Sequence, residues 1–86
     1  MKILICYDVA DDKRRRRLVK YLEKIAIRIQ YSVFLADITE RQIKQMNEYA
    51  EKILDKEEND KFYYFNAANT DSWRKADTLP KEFMII

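Results

Sequence analysis

The alternation of apolar patterns along these 86 residues predicts an α+β fold, a ferredoxin-like βαββαβ sandwich with an additional C-terminal strand, assembled as a homodimer. Three observations carry that expectation. Strand and helix periodicities alternate over residues 1–66, which defines the ferredoxin-like domain. Two helices suffice for one sheet face, while the first strand is apolar on both sides, so a second copy stacking sheet on sheet is expected to hide the rest. A last apolar segment, residues 82–86, lacks an obvious hairpin partner; residues 67–86 are therefore read as a connector and strand pairing at the dimer interface.

Each element follows from its residues. Residues 2–7 (KILICY) are a nearly unbroken apolar run before Asp8, the pattern of a central strand buried on both faces. Asp11 or Asp12 then offers a side-chain acceptor to the unpaired N–H groups of a helix, and Leu18, Leu22 and Ile25 recur at helical spacing, predicting a helix over 12–26. Ile27, Ile29, Tyr31, Val33 and Leu35 alternate with Arg28, Gln30 and Ser32, which is β structure with a break near Gln30; Phe34 is an apolar group among the polar positions. Thr39 and Gln42 have capping-box spacing, and Ile43, Met46, Ala50, Ile53 and Leu54 continue an apolar stripe, so a second helix is expected over 40–55. A charged turn over 55–61 leads into the aromatic strand 62–65. Residues 67–81, with the only proline, read as the connector, on which Trp73 anchors the tail.

Composition narrows the chemistry. Eighty-six residues make one domain. Lys and Arg total 17 against 15 Asp and Glu, so the net charge of +2 says little about nucleic acid and the distribution must decide. With no histidine, imidazole is removed as base or zinc ligand, which leaves carboxylates with a hard cation, Mg²⁺ or Mn²⁺, as the most available hydrolytic chemistry. With no glycine, a glycine-rich phosphate loop is excluded and every turn must be made by other residues. The single cysteine, Cys6, and the lack of an apolar run of about 18 residues or a signal-peptide pattern point to the reducing cytoplasm and to no membrane association.

Asp8 stands where an apolar strand ends, a frequent ligand position in sheets; it reads either as a turn residue satisfying local N–H groups or as a metal ligand. One carboxylate does not hold Mg²⁺ firmly, whereas two copies of Asp8 across a two-fold axis could. Residues 13–17 (KRRRR) place cations in the first turns of a helix, each opposing the macrodipole by some tenths of a kcal/mol, so a compensating interaction is expected. Arg14 and Arg15 lie above the Leu18/Leu22 face, near the edge bearing Asp8. Lys13, Arg17, Lys20 and Lys24 form a seam ~16 Å long, the span of two to three backbone phosphates; its other reading is a solvated helix face. Arg28 is a separate cation. Tyr7, Tyr31, Phe34 and the aromatics of 62–65 could stack on bases, with packing as their default.

Three segments together, residues 5–9 (ICYDV) followed by 11–15 (DDKRR), residues 28–34 (RIQYSVF), and the charged turn before Phe62, resemble the second core CRISPR-associated protein family, the small spacer-acquisition subunit often described as an endonuclease. The resemblance covers about residues 1–66. It implies a ferredoxin-like homodimer whose strand-end aspartates face each other near the two-fold axis, with metal-dependent cleavage of RNA or DNA assigned to that pair and Asp8 at the matching position. It also places Tyr7, Arg15, Arg17, Arg28, Ser32 and Phe34 on positions associated with activity or nucleic-acid contact. A second implied role is a non-catalytic bridge between dimers of the CRISPR integrase, holding double-stranded DNA along the Lys13 to Lys24 surface. A third is an mRNA-cleaving toxin on the same scaffold. Members commonly carry glycines after the first helix and the second strand; Ala26 and Ala36 stand there here, so a different turn geometry is expected.

Overall fold

A computed structural model describes residues 1–67. The elements are β1 (Lys2–Asp8), α1 (Asp12–Ile25), β2 (Ile27–Gln30), β3 (Val33–Asp37), α2 (Glu40–Ile53), a one-turn 3₁₀ segment (Lys56–Glu58) and β4 (Lys61–Asn66). The four strands form one sheet in the order β2-β3-β1-β4, every pair antiparallel. This is the ferredoxin-like arrangement expected from the sequence. β1 is central because residues 3–7 are all buried, and such a strand needs partners on both edges and cover on both faces.

Asp11, not Asp12, caps α1, its carboxylate accepting from the Arg14 N–H at 2.8 Å. The helix ends at Ala26, which is extended (φ −147°, ψ 167°), so the chain runs straight into β2 and needs no left-handed residue there. Thr39 and Gln42 close the capping box of α2 reciprocally. Both helices pack on one sheet face around Ile3, Ile5, Tyr7, Leu18, Leu22, Phe34 and Met46. Phe34 is fully buried there, and its truncation to alanine would cost about 4 kcal/mol.

The β2–β3 register explains Phe34. Arg28 pairs with Phe34 and Ile27 with Leu35, with a bulge between Arg28 and Gln30 where the break was expected. Ile29, Val33 and Leu35 pack on the face away from the helices, whereas Phe34 and Ala36 belong to the helix-side core. The apolar half of the alternation therefore lies on the helix-free face, and the apparent exception is the core residue. On that helix-free face Leu4, Cys6, Val33 and Ala67 form a second buried cluster. Leu4 and Cys6 are thus already covered within a single chain. The large apolar side chains still exposed include Ile27 (72%) and Tyr63 (43%).

The turn before β4 replaces glycine with asparagine: Asn59 adopts φ 62°, ψ 27°, the one positive φ among the described residues. Asp60 follows with its side chain fully buried. It accepts from Arg14 Nε at 2.6 Å, from Arg14 Nη2 at 3.2 Å and from the Asp55 N–H at 2.9 Å. This contact ties the start of α1 to the start of β4. The expected Trp73 anchor and the strand over 82–86 lie outside the described residues.

Candidate functional site

Asp8 closes β1 and is exposed at the sheet's edge. Strand alternation puts it on the helix-free face with Leu4 and Cys6, and its register partner across the ladder is Lys61 of β4. Beside it opens a cleft of about 270 Å³ lined by Tyr7, Asp8, Val9, Ala10, Arg15, Tyr31 and Ser32.

Arg15 reaches this cleft from α1. Its Nη1 donates to the carbonyls of Val9 (3.1 Å) and Ala10 (3.2 Å), and its Nη2 to the Asp12 carboxylate. The β1–α1 loop is thereby clamped around a guanidinium, which the Asp12 hydrogen bond pushes above its ordinary range. Arg14 is engaged differently, by Asp60 and Asp11. These acceptors supply the compensation expected for two of the cations that oppose the helix dipole.

The opposite wall is the turn at residues 31–32. The buried Tyr7 hydroxyl donates to the Tyr31 carbonyl (3.0 Å) and accepts from Arg28 Nη2 (3.2 Å), while the Tyr7 N–H donates to the Ser32 carbonyl (3.2 Å). The Arg28 guanidinium carbon lies 5.6 Å from the Tyr31 ring centroid and 5.3 Å from that of Phe34, within cation–π range of both. Tyr7, Arg28 and Phe34 thus fix the turn against the end of β1, and the cleft keeps its shape.

Of the residues singled out in the sequence, Tyr7, Asp8, Arg15 and Ser32 come together in the cleft, with Arg28 and Phe34 behind its wall. Lys13, Arg17, Lys20 and Lys24 do not line it. They are exposed along α1, and none forms an ion pair among the described residues. Sequence reasoning did not assign Lys61, whose place opposite Asp8 depends on a strand register. Tyr31, for which packing is the default expectation, is exposed and lines the cleft; its position between polar neighbours in a short hairpin is the sequence signal for that. A larger cleft of about 540 Å³ between α2 and β4 has Glu51 and Asp60 as its carboxylates, and Asp60 is already paired with Arg14.

Within one chain the donors do not fit a divalent cation. No group of three or more Cys, Asp or Glu that could hold a metal occurs among the described residues, and Asp8 has Arg15 in its cleft and Lys61 across the ladder. A second Asp8 from another copy would supply the missing carboxylate. No helix among the described residues is long and apolar enough to cross a membrane.

Comparison with known proteins identifies this arrangement. The family model described as CRISPR associated protein Cas2 matches residues 1–75. The chain belongs to the Cas2 family. Among curated relatives, a CRISPR-associated endoribonuclease Cas2 of Synechocystis sp. is 58% identical over 38 residues, covering 44% of this chain and 41% of the relative. Another, from Thermus thermophilus, is 41% identical over 63 residues, covering 73% and 67%. The matches with the first three relatives span 41%, 54% and 48% of their lengths, so the chain spans about half of each. The crystal structure of Streptococcus pyogenes Cas2 superposes with a TM-score of 0.75 at 25% identity, covering 83% of this chain and 92% of that one. A Thermus thermophilus structure solved as a hypothetical protein gives 0.74 at 29% identity, covering 79% and 82%. The family-model match spans the strands and helices that carry Asp8, Arg15 and the 31–32 turn.

Proposed function

We propose that this chain acts in CRISPR spacer acquisition as a nucleic-acid-binding homodimer, with an endonuclease centre at paired Asp8 residues. The observation that carries the cleavage reading is the single cleft holding the exposed Asp8 carboxylate beside a clamped, permanently charged Arg15. Arg15 would attract the phosphodiester and, held in place before substrate arrives, would stabilise charge developing on the phosphoryl oxygens. Asp8 from each protomer would supply the carboxylates for Mg²⁺ or Mn²⁺. Bound there, such a cation would activate water and neutralise phosphate charge. Relatives named as endoribonucleases support RNA as a substrate class, with DNA as the alternative.

The exposed seam Lys13, Arg17, Lys20 and Lys24, without an ion pair among the described residues, favours a second role, electrostatic binding of double-stranded DNA while bridging the CRISPR integrase. Asp8 would then be dispensable. The deciding experiment is Asp8→Asn, assayed for Mg²⁺-dependent cleavage of RNA and DNA and for support of spacer integration. The expected result is loss of cleavage with fold and association mass unchanged. Cleavage at the parental rate, in a preparation shown free of contaminating nuclease, would remove Asp8 from the centre.

A further inference from the structure

We propose that Tyr31 is a base-stacking residue that positions an unpaired nucleotide in the Asp8 cleft, its base against the Tyr31 ring and its phosphate toward Arg15. This rests on the cleavage reading for the identity of the site, although stacking itself can be measured without turnover.

The Tyr31 side chain is 70% exposed at a two-residue hairpin turn, far more open than the packing default predicts. It lines the same cleft as Asp8 and Arg15. Its backbone is held from inside by the Tyr7 hydroxyl at 3.0 Å, and the Arg28 guanidinium lies 5.6 Å from its ring centroid. Arg28 is itself placed by Tyr7 and Phe34. The Tyr31 backbone is therefore tied to the end of β1 and Arg28 stands beside the exposed ring before any ligand arrives, which lowers the ordering cost of stacking. An exposed aromatic ring that shares its cleft with the Arg15 guanidinium matches one nucleotide: a π-face for the base and a cation for its phosphate. In a duplex each base face is covered by its neighbours, so the ring is of use only to an unpaired base.

Tyr31→Ala and Tyr31→Phe would be compared with the parent, in chelator to prevent turnover, by fluorescence anisotropy on single-stranded and duplex RNA and on DNA of the same sequence. Tyr7 bonds the Tyr31 carbonyl, so neither change removes that anchor, and circular dichroism and association mass would verify the fold. The alanine variant should lose about tenfold in single-strand affinity and leave duplex affinity unchanged, with the phenylalanine variant like the parent. The RNA and DNA arms report which strand type is preferred. A 2-aminopurine placed in the strand should be quenched on binding to the parent and not to the alanine variant. Equal losses on single strand and duplex, or unchanged affinity and quenching, would overturn the proposal. So would a loss of association by the alanine variant, which would make Tyr31 a contact between copies. A parent that cleaves nothing yet shows Tyr31-dependent quenching refutes the cleavage reading and upholds this one. A cleaving parent whose alanine variant keeps its KM on single strands does the reverse.

Discussion

Truncating Asp60 to alanine removes one carboxylate and leaves two groups stranded. Arg14 loses bonds of 2.6 and 3.2 Å, and the Asp55 N–H loses its acceptor at 2.9 Å. Breaking a fully buried pair costs about 3–5 kcal/mol. Here the Asp60 side chain is 0% exposed but Arg14 is 22% exposed, so water can partly resolvate the guanidinium. Discounting for that gives a loss of about 2–3 kcal/mol. In a domain of this size each kcal/mol moves the midpoint by several degrees, so Tm should fall by about 10–20 °C. Thermal and urea unfolding at one fixed protomer concentration would measure it, since association contributes to stability. Replacing Arg14 by methionine in the same chain should recover part of the loss by removing the stranded cation. The Arg14 hydrogen bond, helped by the Asp55 N–H, holds the Asp60 carboxyl below its ordinary 3.8. A depressed native value means the stabilisation is complete above the ordinary value and lost as pH falls through the native one. The gap between parent and variant should thus be constant at neutral pH and close only in acid below 3.8. A loss under about 0.5 kcal/mol at pH 7 would refute the reasoning.

Burial pushes the Cys6 thiol up to about 11, so alkylation at pH 8 should be far slower in the native protein than in urea; matching rates would contradict its burial. Thr39→Ala removes half of the capping box of α2 and should cost about 1 kcal/mol by urea unfolding, with an unchanged midpoint counting against the cap. Replacing both Arg17 and Lys20 by alanine should reduce the slope of log affinity against log salt for duplex DNA by about 2 in magnitude. A parental slope would leave the seam as a solvated helix face.

Most element boundaries could be read from local pattern because each is set by local chemistry: the Thr39 and Gln42 spacing, the apolar stripe on α2 and the unbroken run of β1. The β2–β3 break was visible near Gln30, yet the alternation could not say which of its faces the helices cover. That depends on how the hairpin sits in the sheet, and it turned Phe34 from an exception into a core residue. In the sequence Asp60 is one more charge in a charged turn; only the approach of α1 and β4 buries it. At the site, Asp8 and Arg15 were legible from a strand end and a helix start that adjoin in sequence. Lys61 was not, since its neighbourhood with Asp8 spans the whole fold.

The backbone geometry at Asn59, Ala26 and Ala36 has a thermodynamic consequence for the state that competes with the fold. With one left-handed position among the described residues, filled by asparagine, the lack of glycine forfeits no turn among them. Alanine in place of glycine at a site with compatible dihedrals stabilises by about 0.4–1 kcal/mol, because the unfolded chain has fewer conformers to lose. Ala26 is extended and Ala36 lies within β3, so both sites are compatible. A small domain with a limited core thus gains stability from the stiffness of its denatured ensemble, a contribution visible in no native contact.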